Sequence, residues 1–199
     1  MLKITDLKKS FGRKEVLQGV SLTAEPGELI HISGINGSGK STIFKIITGL
    51  LKADSGEVIS GNEDIVGALI ENPGFLEYES AMTNLRFLGD LKHRFDEEKT
   101  KDLLQHFDLD PDDTQAIAKY SVGMRQKVGI IQAVMEDQNI ILLDEPTRGI
   151  DQESIKQFAV LLNNLKRENK TVIVASHDQI DEINYDQRLQ LINGTLSDE

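Results

Sequence analysis

The run Gly34-Ile35-Asn36-Gly37-Ser38-Gly39-Lys40-Ser41-Thr42 constrains this chain more than any other stretch. It fits the phosphate-loop pattern of a glycine, four residues, Gly-Lys and then Ser or Thr. Before it, Glu28-Leu29-Ile30-His31-Ile32-Ser33 reads as a buried strand, and after it Ile43, Phe44, Ile46, Ile47 and Leu50 recur at helical spacing. Strand, glycine loop and helix are the context the motif needs. The glycines let successive backbone N–H groups turn inward into a nest for an anion, and a helix starting near Lys40 adds its positive dipole end. Lys40 supplies a point charge for outer phosphates, and the Ser41 hydroxyl is placed to ligate Mg²⁺. The plainer alternative, a chance match in a glycine-containing turn, is weakened by the flanking strand and helix.

A length of 199 residues suits one domain in one or two lobes, with room for a sizeable core. The formal charge of −11 argues against a nucleic-acid binder and equally against adsorption to anionic lipid. There is no cysteine, hence no disulfide, thiolate nucleophile or Cys-ligated zinc, which suits the cytosol. No amino-terminal signal pattern and no apolar run approaching about 18 residues is present. If the protein works at a membrane, another chain must provide the membrane part.

Residues 1–12 alternate through Leu2, Ile4 and Leu7, and residues 16–24 through Leu17, Val20 and Leu22. Glu25-Pro26-Gly27-Glu28 has the proline and glycine of a type II turn. Strand, turn and strand therefore lead into the phosphate loop. Ser55-Gly56 reads as a turn before a short strand at 57–60, and residues 65–70 as another strand stopped by Asn72-Pro73-Gly74. The next 60 or so residues change character. Leu85, Leu88 and Leu91 form one apolar stripe and Leu103, Leu104 and Phe107 another, so residues 76–135 read as a helical insertion in an otherwise α/β domain. The run Ile140-Ile141-Leu142-Leu143 suits a central parallel strand. A helix over 152–167, a strand over 171–175 and an Asn193-Gly194 hairpin complete the chain.

Ligands in doubly wound sheets sit beyond the carboxyl ends of strands. Asp144 and Glu145 fall there, as does His177 in Ser176-His177-Asp178. Asp144 fits the acidic element that holds Mg²⁺ in phosphate-loop enzymes, or simply caps the following helix. Glu145 beside it could polarise a water, a role worth ~10²–10⁴ in rate, or be an exposed strand-end glutamate. His177 could contact a terminal phosphate or be structural. Phe11 is either a strand-end aromatic or a platform for a base. His31, His93 and His106 have no such context.

Together these pieces resemble the ATP-binding subunit of ABC transporters over essentially the whole chain. The distinctive match is Tyr120-Ser121-Val122-Gly123-Met124-Arg125-Gln126, similar to the family's Leu-Ser-Gly-Gly-Gln signature but departing at Tyr120, Val122 and Met124. The resemblance implies a P-loop NTPase (RecA-like) core, about 1–75 and 136–199, with an N-terminal antiparallel β subdomain and an inserted helical subdomain. It makes Phe11 the aromatic that stacks on adenine, His177 the switch histidine, and Gly149-Ile150-Asp151 the segment crossing to a partner subunit. By the same resemblance, Mg²⁺-ATP lies between Lys40 of one subunit and Ser121, Gly123 and Met124 of the other, in a homodimer or a heterodimer with a related ATPase. Ser121 also opens a helix, since Met124, Val128, Ile131 and Met135 follow at helical spacing.

Glu71 stands where the family normally has Gln. It still offers oxygen to Mg²⁺ but adds negative charge near the terminal phosphate. Glu71-Asn72-Pro73-Gly74-Phe75 is similar to the bacitracin and lantibiotic self-protection exporters. The sequence ends soon after the Asn193-Gly194 hairpin, which points to an exporter rather than an importer carrying a regulatory domain. The expectation is an ATPase motor on the cytoplasmic face of the plasma membrane, docked on integral membrane permease subunits through the helical insertion, with no nucleic acid involved. Two competitors remain: a soluble ABC-type regulator, and a small-molecule phosphotransferase or GTPase. Asn169-Lys170-Thr171-Val172 nearly matches a guanine-reading Asn-Lys-x-Asp, but Val172 removes the carboxylate.

Overall fold

A computed structural model describes residues 1–71, 73–177, 180 and 182–199. Asn72 and Asp178, which belong to two of the stretches above, lie outside the described residues. The elements are β1 (Leu2–Phe11), β2 (Lys14–Ala24), β3 (Leu29–Ser33), α1 (Lys40–Ile47), β4 (Ser55–Ile59), β5 (Val66–Leu69), α2 (Ala81–Asp90) and α3 (Glu97–His106). A 3-10 turn, Ile117–Lys119, precedes α4 (Val122–Val134), β6 (Ile140–Asp144), α5 (Gln152–Arg167), β7 (Thr171–Ser176), β8 (Gln187–Ile192) and β9 (Thr195–Asp198).

The strand order β5-β6-β7-β3-β8-β9 makes a six-stranded sheet, parallel throughout except where β9 returns antiparallel beside β8. Every residue of β3, β6 and β7 is buried. The alternation of side chains along a strand divides their apolar residues between two cores. Ile141, Leu143, Val172 and Val174 pack with the helices α2 to α5. Ile30, Ile32, Leu142 and Ile173 face the other way, onto α1 and the antiparallel sheet β2-β1-β4. Continuous apolar runs are what burial on both faces requires. The architecture is the mixed α/β core with an antiparallel β subdomain and helical elements that the sequence implies.

Local chemistry sets the helix starts. Ser80, Asp96, Ser121 and Asp151 each accept a hydrogen bond from a backbone N–H in the first turn of α2, α3, α4 and α5. Each such cap typically stabilises by about 1 kcal/mol. The turn at residues 25–28 closes with Glu28 N donating to Glu25 O at 3.2 Å. Asn193 and Gly194 both take positive φ, 49° and 78°, as a two-residue hairpin requires.

Three expectations are corrected. Leu50 lies beyond the end of α1 and is exposed, because the chain leaves the helix at Thr48 and turns at Gly49. Leu91 is the C-cap of α2 and is exposed, so the stripe ends at Leu88. Ser55 and Gly56 are not a turn but the start of β4; the register shift between Thr5 and Lys8 of β1 absorbs the irregularity.

The long helix α4 lies against the sheet. Its Ala133 carbonyl approaches β5 so closely that a Cβ on Gly67 would overlap it.

Candidate active site

The carboxyl ends of β3, β5 and β6 and the start of α1 surround a cavity of about 500 Å³. Its lining includes all the loop residues from Asn36 to Thr42, together with Glu71, Gln126, Asp144, Glu145 and Arg148. Parallel pairing in register, Leu69 beside Leu143, Asp144 beside Ala175 and Ser33 beside Ser176, delivers the ends of β3, β5 and β6 to one edge.

The helix α1 starts without a side-chain cap. Gly39 is its N-cap in the left-handed region, at φ 116°, a conformation that favours glycine. Lys40 is buried, and its Nζ donates to Gly34 O at 2.5 Å and to Ile35 O at 3.5 Å. The same ammonium lies 3.5 Å from Glu145 Oε1. Ser41 Oγ donates to Asp144 Oδ2. Burial pushes the Asp144 carboxyl above its ordinary range; the Ser41 bond opposes this, and the Glu145 charge adds to it.

Glu145 adopts φ 46°, unusual for a residue with a side chain. Three contacts hold it there. Its N–H donates to Ala175 O at 2.7 Å, its Oε2 accepts from His177 N at 3.4 Å, and its carbonyl accepts from Gln126 Nε2 at 3.0 Å. Its Oε1 is buried without a hydrogen-bond partner, as is Ser38 Oγ. Lys40 offers that carboxylate oxygen only an ion pair, and the Ser38 hydroxyl at the cavity wall is a group that a polar ligand or its water would satisfy.

Magnesium is the metal that a phosphate loop of this type implies, and the donor set suits it. Ser41 Oγ and Asp144 Oδ2 are adjacent hard oxygens at the cavity wall. Among the described residues no group of three or more His, Asp or Glu side chains converges to hold a metal alone. Mg²⁺ ordinarily completes its octahedron with water and substrate phosphate oxygens. Glu71 lines the cavity, but its carboxylate is engaged by Lys45 Nζ at 2.5 Å.

Other residues singled out in the sequence sit elsewhere. Phe11 ends β1 half-exposed, with Lys9 Nζ 5.6 Å above its ring, and does not line the cavity. Ser121, Gly123 and Met124 do not line it either. Ser121 Oγ accepts from Met124 N at 3.1 Å as the cap of α4. The Asp151 carboxylate caps α5, accepting from Ser154 N and Ser154 Oγ at 2.9 Å. These bonds hold its pKa below the ordinary range.

Sterics account for a letter of the signature that is retained. A Cβ on Gly123 would overlap Gly149 O, so that position admits no side chain. Val122 is exposed, and Tyr120 fills the helical core while its OH donates to Asp113 at 3.1 Å. Burial pushes the Tyr120 hydroxyl up to about 12.

Gln126 closes the signature-like stretch, but no sequence reading assigned it a contact with Glu145. The signal that could have pointed to it was its position, three residues beyond Gly123 and so on the same helix face.

A phosphate loop after β3 of a parallel sheet, with an acid pair at the end of β6 and β7 between the two strands, defines a P-loop NTPase. The ABC transporter family profile matches residues 17–148, and the chain belongs to that family, as an ATP-binding cassette of the ABC ATPase type. It is 35% identical over 188 residues to an uncharacterized ABC transporter ATP-binding protein of Bacillus subtilis, covering 89% of this chain and 61% of that protein. It is 34% identical to the lantibiotic transport ATP-binding protein SrtF of Streptococcus pyogenes, covering 89% of this chain and 80% of that one. The bacitracin transport ATP-binding protein BcrA of Bacillus licheniformis is 28% identical, with 89% and 61% covered. Among solved structures, a dimeric bacterial ABC transporter cassette matches with TM-score 0.87 at 27% identity, over 98% of this chain and 96% of that one. A dimeric cassette in a post-hydrolysis state bound to ADP and Pi gives 0.88 at 26%, over 100% and 98%. No helix among the described residues is long and apolar enough to cross a membrane.

Proposed function

We propose that this chain is the ATP-hydrolysing subunit of an exporter. In this reading it works as a dimer, of itself or with a related ATPase, on separate integral membrane permease subunits at the cytoplasmic face of the membrane. The observation that carries the dimer is what the cavity lacks. It gathers the phosphate loop and the acid pair, while Ser121, Gly123 and Met124 lie outside its lining. Residues that serve the nucleotide but do not face the chain's own cavity are supplied to a second chain's.

In the assembled site the loop N–H groups and Lys40 bind the phosphates. Ser41 and Asp144 would hold Mg²⁺, with Glu71 a further oxygen once it leaves Lys45, and the bound ion would supply charge neutralisation at the phosphates. Glu145 takes the proton of the attacking water, His177 contacts the terminal phosphate, and Phe11 stacks on adenine. The partner's signature segment, with N–H groups at a helix start, closes over the same phosphates, and the Asp151 segment crosses the interface. The helical region about 76–135 docks the permease. The exporter assignment rests on the similarity to the lantibiotic and bacitracin transport proteins.

Glu145→Gln tests the reading. It keeps the shape but removes the base, so turnover falls by ~10²–10⁴ while ATP binding persists and ATP-bound dimers accumulate in size-exclusion chromatography. A monomeric variant with full turnover contradicts it.

A further inference from the structure

We propose that Gln126 is a positioning residue for hydrolysis, acting through Glu145; this rests on the reading of Glu145 as the base. The geometry is specific. Gln126 sits in the first half of α4, buried, and its Nε2 donates to the Glu145 carbonyl at 3.0 Å across 19 residues of sequence. Glu145 is held in the left-handed region at φ 46°, a strained conformation for a residue with a side chain that persists only where surroundings impose it. Its N–H is fixed by β7, through Ala175 O. The amide of Gln126 fixes the other end of the same residue. Backbone orientation at Glu145 decides where its carboxylate points, so loss of one of these two anchors leaves the base in place chemically but misaimed.

A second contact puts the clamp on the signature helix. Gly123, one turn earlier on the same face of α4, lies directly against Gly149 O, in the loop that follows Glu145. The first turn of α4 therefore grips the segment 145–149 at both of its ends. Neighbouring Arg125 faces another way: it makes a two-pronged pair with Glu77 at 2.7 Å, so the polar grip on Glu145 belongs to Gln126.

The test uses two variants of the full chain, Gln126→Met and Gln126→Glu, each close in length to glutamine and each unable, when the carboxyl is ionised, to donate to the carbonyl. Turnover should fall by roughly 10–10²-fold, the scale of a misplacement of about 1 Å. The KM for ATP, the equilibrium affinity for ATP and ATP-dependent dimerisation should stay within about twofold of the parent. A structural role alone would lower binding and turnover together. Should one variant fail to fold, the other still decides. Parental turnover in either variant, or a parallel loss of affinity, overturns the proposal. Glu145→Gln run alongside separates the two claims. An inactive Glu145→Gln with a fully active Gln126→Met removes only the positioning role; an active Glu145→Gln removes the reading on which it rests.

Discussion

Two helix starts in this chain are capped in different ways. At α1 the N-cap is Gly39 and no side chain satisfies the first-turn N–H groups; at α4 the cap is Ser121, whose hydroxyl already accepts from Met124 N. The orphan donors of a helix start must find partners. In α1 they are left to phosphate, so binding is built into the backbone of one chain. In α4 one donor is already satisfied, and what remains is a weaker, exposed face. The difference fits the proposal that the first site holds nucleotide by itself and the second serves another chain's nucleotide.

The sharpest way to break this contrast is Ser121→Arg. A bulky cation at the weaker face should leave ATP binding by the isolated chain intact and reduce turnover by ~10³–10⁵, the contribution of a group supplied in trans. Equal turnover with ATP-driven dimers would remove α4 from catalysis. Next in size is Lys40→Met. Losing charge-assisted bonds of about 1.5–3 kcal/mol should weaken ATP affinity ~10–10²-fold by isothermal titration, with the α4 face untouched.

A third prediction concerns Asp144, whose burial beside α1 raises its pKa above the unfolded value. A raised carboxyl contributes stability that is fully present below the unfolded pKa and is lost as pH rises through the folded one. At pH 7 the ionised group therefore weakens the fold, and Asp144→Asn should raise the melting temperature while abolishing Mg²⁺-dependent hydrolysis. Calorimetry at pH 7 showing a lower melting temperature contradicts it. The smallest effects separate capping from function. Ser80→Ala and Ser121→Ala should each lose about 1 kcal/mol, or about 2–4 °C, but only the second should slow ATP turnover. Matching turnover in the two would reduce Ser121 to a cap.

What the sequence disclosed follows from how local each cause is. The phosphate loop was legible because strand, turn and helix are consecutive, and Asp144-Glu145 because it directly follows a run buried on both faces. The helix over 152–167 was placed at its observed bounds, since the Asp151 cap and the apolar spacing agree. Gln126 was not legible, because its partner is a backbone carbonyl 19 residues away. The Lys45–Glu71 pair was hidden for the same reason, spanning 26 residues. Ser55-Gly56 misled because glycine signals turns and strand irregularities alike.

The close approaches at Gly67 and Gly123 have a mechanical consequence. They pin opposite ends of one helix, its last turn to β5 and its first to the loop behind the acid pair. A rod fastened at both ends cannot swing, so α4 is a pedestal and not a lever. A methyl group introduced at either glycine would push that pedestal off its seat without touching the phosphate loop.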